Sequence, residues 1–280
     1  MFTLKKESGF DQVGSYDQDT INGFDEQLIN QMLKLVDPER VENVLDAMAG
    51  DGNLSKRLHQ YCLTHQIRCP KLFVLEYSSV QAEFARKKLS DAKAEVIWGD
   101  VLTMSSRDSQ ISIPENSFDR VMIKSSNHEI PRSRQLDLYS SIYRVLQPGG
   151  IFVNLGMLFD DPEERDELRG IARVKDTFAN MKDVADNRHF LTKEELYGWL
   201  TEAGFVDIQS EQSFNYNINS SIVAQQYFAE NERIRSDLEH QAAQAKAHKM
   251  RLNGRIHFDR DTSLMVCPGE ITIARKPISK

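Results

Sequence analysis

The chain has 280 residues, 40% of them hydrophobic and 28% charged, with a formal net charge of −7. That is enough apolar material to bury the core of a full α/β domain with an attached cap, and too much for long disorder. An excess of acid repels a polyanion at long range, so nucleic acid is not the expected partner.

Residues 1–23 begin MFTLKKESGF and have no apolar stretch behind the two lysines, so they are not read as a secretory signal. Phe24 to Val36 reads as an amphipathic helix with Phe24, Leu28, Ile29, Met32, Leu33 and Val36 on one side, ended by Pro38. Val41 to Met48 reads as a buried strand and AGDGN as the turn leaving it. Leu54 to Leu63 is the next helix. Cys62 and Cys69, at its end and beyond, lack metal-ligand spacing and are read as buried free thiols. With Cys267 they make an odd, low count that fits a reducing cytoplasm. Leu72 to Leu75 is a strand, Val80 to Leu89 a helix, and Ala94 to Trp98 and Phe118 to Ile123 are strands. Arg134 to Leu146 is a helix that stops at QPGG, where Pro148 and Gly149 break it. Ile151 to Leu155 is a further buried strand. The apolar run there ends at Phe159, far too short to cross a bilayer. Strand and helix alternating at this rhythm call for right-handed crossovers and a doubly wound, mainly parallel sheet.

Beyond Phe159 the rhythm breaks. Asp160 to Arg188 carries dense mixed charge and reads as a helical insertion. Thr192 to Ala203 is a helix with a capping box, Thr192 at its start and Glu195 three residues on, and Gly204 terminates it. Phe205 to Tyr216 alternates like a strand. Asn219 to Leu252 lacks proline and glycine, and as one helix it would run roughly 50 Å at 1.5 Å per residue. Its narrow apolar stripe suits a cover over a site, or a surface joining two copies into a homodimer. Ile271 to Ala274 closes the chain as a strand.

The chemistry concentrates in VLDAMAGDGNL. An apolar strand ends in Asp46, and Gly50 and Gly52 follow before a helix begins. Without a Cβ the backbone there can approach a ligand closely, and the helix start behind it offers unpaired N–H groups. The next strand, LFVLEYS, carries Glu76 to its carboxyl end, where a carboxylate can accept two hydrogen bonds from a ribose diol. The third ends WGDV and places Asp100 on the same edge, where it can accept from the exocyclic amine of adenine. Three acids at three successive strand ends describe a site for an adenosine-bearing ligand.

Asp46-Ala-Met-Ala-Gly50-Asp-Gly52, Glu76, Gly99-Asp100, the FDRVMI strand and LQPGG together resemble a class I S-adenosylmethionine-dependent methyltransferase, in order from about Val41 to Leu155. The resemblance implies a Rossmann-like, seven-stranded sheet ending in a reversed β-hairpin that pairs Val206 to Phe214 with Ile271 to Ala274. It implies S-adenosylmethionine as cofactor, with Asp46, Gly50 and Gly52 holding the methionine portion, Glu76 the ribose and Asp100 the adenine. Ala47, Met48, Tyr77, Val101 and Lys124 complete the expected cofactor contacts, and Tyr16 of residues 1–23 would fold over as a lid. Met48 stands where the family most often has its first glycine, and Glu76 follows Asp46 at a longer interval than usual. The remaining 24–280 would be the methyltransferase domain, with helical insertions at about 160–190 and 219–252.

A nicotinamide dehydrogenase would want a third glycine where Ser55 stands. A sulfonium methyl is already an activated electrophile, so the protein mainly aligns it and excludes water, adding a base where the acceptor is a hydroxyl or amine. The candidates for that role are His128 and Glu129 in KSSNHEI. No trio of metal-ligating side chains has the right spacing, and no metal is expected. The expected activity is SN2 methyl transfer to a small-molecule acceptor in the cytoplasm. The alternatives are a cofactor-binding relative without transfer, or an interaction protein that works through 219–252.

Overall fold

Apolar strands separated by amphipathic helices assemble here as the alternation demands. The computed structural model describes residues 24, 26–109, 111–178, 181–219, 257–259 and 264–278. The elements in chain order are α1 (Glu26–Val36), β1 (Asn43–Ala47), α2 (Asn53–His65), β2 (Lys71–Glu76), α3 (Ser79–Lys88), β3 (Glu95–Asp100), β4 (Ser105–Ser106), β5 (Phe118–Lys124), α4 (Gln135–Val145) and β6 (Leu146–Phe159). They continue with α5 (Pro162–Phe178), α6 (Lys182–Asn187), β7 (Leu191–Thr192), α7 (Lys193–Glu202), β8 (Val206–Asn219), β9 (His257–Asp259) and β10 (Leu264–Arg275).

The strands form one sheet in the order β4-β3-β2-β1-β5-β6-β10-β8, with β7 beside β6 and β9 beside β10. Pairing is parallel from β3 through β6 and antiparallel where β10 meets β6 and β8. The closing hairpin is present in the expected pairing, with Ile271 opposite Gln212 and Ile273 opposite Gln209. Seven long strands were expected. Among the described residues three more appear, β4, β7 and β9, each of two or three residues and too short to leave a periodic signal.

Two helical layers cover the sheet. Alternation along β1 sends Val44 toward Leu28, Met32, Leu54 and Leu58 of α1 and α2. It sends Leu45 and Ala47 to the other side, against Leu138, Ile142, Leu196 and Leu200 of α4 and α7. The helix expected to stop at Pro148 and Gly149 stops just before them. α4 ends at Val145 and β6 begins at the next residue, with Gly149 at φ +80°. The extra residues are taken up as a bulge, in which Phe118 pairs Leu146 but Arg120 pairs Ile151.

The helical insertion is α5 and α6, and α7 begins with the full capping box. Asn219 is the last residue of β8 rather than the start of a helix. The rest of the expected long helix, and the expected lid with Tyr16, lie outside the described residues.

Candidate functional site

Chain order explains where a site should form. From β1 the chain winds outward through β2 and β3, then returns to lay β5 on the other side of β1. The loops leaving β1 and β5 therefore diverge, and a crevice opens between them at the carboxyl edge. Met48 follows β1 there, and the Ser125–Glu129 turn follows β5. The two touch through the Ser126 hydroxyl, which donates to the Met48 carbonyl at 3.3 Å.

Register sets the polar groups at this edge. Asp46 lies level with Val74 and Met122 in the parallel pairing. Glu76 and Lys124 stand two residues further on, and so share its face. Asp46 is 1% exposed, under the first turn of α2, and the Ser55 N–H and hydroxyl donate to its Oδ2 at 3.1 and 2.8 Å. Burial pushes its carboxyl up to about 7, opposed by the Ser55 hydrogen bonds and the Lys124 charge. Glu76 takes the Gly50 N–H on Oε2 at 2.8 Å and the Ser78 N–H on Oε1 at 2.7 Å.

The glycine turn has two distinct parts. Gly50, at φ +56°, would carry a Cβ into open space, with no atom within 4 Å. Gly52, at φ +79°, would drive a Cβ to 2.8 Å from the Leu89 side chain and 3.1 Å from Ala85. One glycine thus leaves room over the edge, while the other lets α2 pack beside α3. Met48 is itself left-handed at φ +58°, a conformation that costs a non-glycine residue roughly 1 kcal/mol. The position keeps the conformation that a glycine would supply.

Further along the edge, Asp100 ends β3 and its Oδ1 accepts the Leu102 N–H at 2.9 Å. Val101 is buried and Tyr77 is exposed, with the Arg107 guanidinium 4.1 Å from the Tyr77 ring centroid. Ala47 is buried in the core of the opposite face. Lys124 is buried, with its ammonium 5.3 Å from the Phe24 ring centroid. Asp46, Gly50, Glu76 and Lys124 thus come together, with Met48 and the Ser126 turn beside them. Asp100, Val101 and Tyr77 continue the same edge outward.

His128 is buried in a 3-10 turn (Asn127–Glu129), with its ring 4.8 Å from that of Phe190. The end of the insertion presses on this turn, and the His189 N–H donates to the His128 carbonyl at 2.8 Å. Beneath it, Gln135 Nε2 donates to the Asn127 and Ile130 carbonyls at 2.9 and 2.8 Å. On the other side Phe24 packs edge-on against Phe214 and Tyr216, and the Tyr216 hydroxyl is 2.7 Å from Ser125 Oγ.

Sequence reasoning missed Ser55, Ser126 and Phe190 as parts of this edge. Ser55 stood in plain view, a hydroxyl in the first helical turn behind an acid. The other two carry no local signal, because only the fold brings them to the edge. A separate cleft of about 560 Å³, lined by Phe73, Trp98, Phe118, Lys71 and Arg86, includes Asn43 and Phe118 at the starts of β1 and β5. It contains none of the expected site residues.

Residues 44–150 match a family model described as a methyltransferase domain. The switch-point crevice and the glycine turn both lie within those residues. Over those residues the chain is similar to a methyltransferase domain, in keeping with the resemblance that its motifs carry.

A sterol 24-C-methyltransferase of Gibberella zeae is 29% identical to it over 130 residues, 45% of this chain and 30% of that one. A 24-methylenesterol C-methyltransferase of Arabidopsis thaliana is 24% identical over 180 residues, 62% of this chain and 45% of that one. The chain thus spans less than half the length of either relative. Among solved structures, the YcgJ protein from Bacillus subtilis shares the fold of this chain with a TM-score of 0.67. The match covers 91% of this chain and 100% of that one at 14% identity.

Among the described residues no group of three His, Cys, Asp or Glu side chains could hold a metal ion. No helix among them is long and apolar enough to cross a membrane.

Proposed function

We propose that this chain binds S-adenosylmethionine along the edge from Met48 to Asp100 and transfers its methyl group to a small, largely apolar acceptor. The observation that carries the reading is Glu76, a carboxylate at a strand end that fixes the Gly50 N–H at 2.8 Å beside the open space a Cβ would occupy. A ribose diol needs such an acceptor, and a backbone with no side chain above it admits the rest of the ligand.

When bound, the cofactor supplies a sulfonium-activated methyl group. The chain's own residues do the rest. Glu76 accepts from the ribose, and Asp100 accepts from the adenine amine on the oxygen opposite the one that takes the Leu102 N–H. Tyr77 and Val101 flank the base. Asp46, Ala47, Met48, Gly50, Gly52 and Lys124 shape the methionine end, where the buried Lys124 is the natural partner of a carboxylate. His128 and Glu129 orient the acceptor and take its proton where it has one to lose.

Phe24, Phe214, Tyr216 and Phe190 around that turn favour an apolar body, in keeping with the sterol acceptors named in the titles of the relatives. The net charge of −7 favours a small molecule over nucleic acid. Residues 1–23 with Tyr16 would act as a lid over the domain from residue 24 onward, and 219–252 as a cover or dimer surface. A cytoplasmic location belongs to the same reading.

Calorimetric titration with S-adenosylmethionine and S-adenosylhomocysteine tests it. Micromolar binding that Glu76→Ala weakens is expected, followed by labelled methyl transfer to a panel of acceptors that includes sterols. A folded sample that binds neither nucleoside removes the reading. Unchanged turnover by His128→Ala at saturating acceptor removes the base.

A further inference from the structure

The chain leaves both strands that flank the crevice in the left-handed conformation. Met48 after β1 stands at φ +58° and Ser125 after β5 at φ +60°, and neither is a glycine. A residue with a Cβ holds such a backbone at a cost, so the surrounding structure has to supply what keeps it there.

Ser125 is held from two sides. Its N–H donates to the Leu155 carbonyl of β6 at 2.8 Å. Its hydroxyl lies 2.7 Å from that of Tyr216, 91 positions further along the chain. Ser125 is 2% exposed and Tyr216 0%, so water does not compete for this hydrogen bond.

Tyr216 belongs to β8, the last strand in the sheet order, and its ring has to cross β10 to arrive. Gly269 of β10 leaves the passage open, since a Cβ there would fall 2.6 Å from the Phe214 and Tyr216 rings. Phe214 and Phe24 then fix the ring, with centroids 5.1 and 4.8 Å from that of Tyr216. Packing thus delivers one hydroxyl to the start of the turn after β5.

That turn meets the glycine turn across the crevice. The Ser126 hydroxyl donates to the Met48 carbonyl at 3.3 Å. The Glu129 N–H closes on the Ser126 carbonyl at 2.9 Å and the Ile130 N–H on the Asn127 carbonyl at 3.2 Å. A change of φ at Ser125 redirects every one of these groups, because they follow it in the chain.

We infer that Tyr216 is a positioning residue for this edge: its hydroxyl holds Ser125 left-handed and so sets the 125–130 turn against Met48. The inference rests on the proposed binding of S-adenosylmethionine between Met48 and Asp100. A buried hydrogen bond contributes about as much as the left-handed conformation costs, so losing it frees the turn while the core keeps the fold. Tyr216→Phe removes the oxygen and keeps the ring.

The experiment is calorimetric titration of the full chain with S-adenosylhomocysteine, in variants that separate the backbone conformation from the hydroxyl. Tyr216→Phe should weaken binding about threefold to tenfold. Adding Ser125→Gly should restore it, since glycine adopts positive φ readily. Adding Ser125→Ala should not, although it too removes the stranded serine hydroxyl, because alanine keeps the Cβ that opposes the conformation. Unchanged affinity in Tyr216→Phe, or equal rescue by glycine and alanine, would overturn the inference and leave Tyr216 a core residue only.

Hydrogen exchange of the ligand-free protein gives a second reading. The Glu129 and Ile130 amides should exchange roughly threefold to tenfold faster in Tyr216→Phe, while those of β5 and β6 keep their protection. Equal protection of the turn in both proteins would overturn the inference without any ligand. The two failures are distinguishable. A folded wild type that binds no nucleoside removes the proposed function, whereas a wild type and a Tyr216→Phe variant that bind equally well remove this inference alone.

Discussion

Buried charge is managed in opposite ways at the methyl-transfer edge and in the 160–190 insertion. At the edge, Asp46 and Glu76 are held by donors from backbone and hydroxyl, the Ser55, Gly50 and Ser78 groups. In the insertion, Arg188 grips Asp176 through two nitrogens at 2.6 and 3.2 Å, and Arg165 and Arg132 share Glu195 at 3.1 and 3.0 Å. A carboxylate held by neutral donors has no guanidinium fixed across it. A carboxylate locked to a guanidinium is neutralised and positions structure. On the proposed function the edge receives the ligand, while the ion pairs of the insertion hold the wall beside it.

The comparison breaks first at Asp176. Its replacement by Ala strands the buried Arg188 guanidinium, with an expected loss of about 3–5 kcal/mol in denaturant unfolding. A loss under about 1 kcal/mol would mean that the pair is not the anchor of the insertion.

Asp46 tests the other side through pH. Its folded carboxyl, raised to about 7, binds its proton more tightly than in the unfolded chain. The stability this gives is full below about pH 4 and is lost as pH rises through 7. Without cofactor, the protein should therefore lose on the order of 4 kcal/mol across that window relative to Asp46→Asn, in which the titration is absent. Parallel pH profiles for the two would show that Asp46 is ionised throughout, and so not desolvated as its burial implies.

Glu76→Gln sharpens the distinction between holding and binding. The amide oxygen can still take one of the two N–H groups, so stability should change little. Cofactor affinity should fall about tenfold with loss of the charged acceptor, as calorimetry would read. A variant that unfolds but binds normally would reverse the assignment.

The smallest effect is at the α7 cap, where the Thr192 side chain accepts the Glu195 N–H at 3.2 Å. Thr192→Ala should cost about 1 kcal/mol in thermal unfolding and leave cofactor affinity unchanged. A loss of affinity would tie the insertion network to the edge.

Much of the edge was legible because its signals are local. Asp46, Gly50 and Gly52 sit within a few residues of one another, and Glu76 and Asp100 each end an apolar run. The Thr192–Glu195 box was legible for the same reason. The hydrogen bond from Gly50 to Glu76 was not, since it spans 26 positions and depends on β1 and β2 lying parallel in one register. Nor was the seating of His128 under Phe190. The insertion read as helical with dense mixed charge, and only the fold paired Arg188 with Asp176.

By itself the sequence determined the alternation of strand and helix, the glycine turn, the acids at three strand ends and the helix cap. Each follows from the steric and hydrogen-bonding needs of a few consecutive residues. Only the tertiary structure decided that Asp46 turns under α2 to meet Ser55, and that Gly50 opens on free space while Gly52 does not. Those outcomes depend on which face a pleat presents and what packs against it, and distant parts of the chain settle that through register and burial.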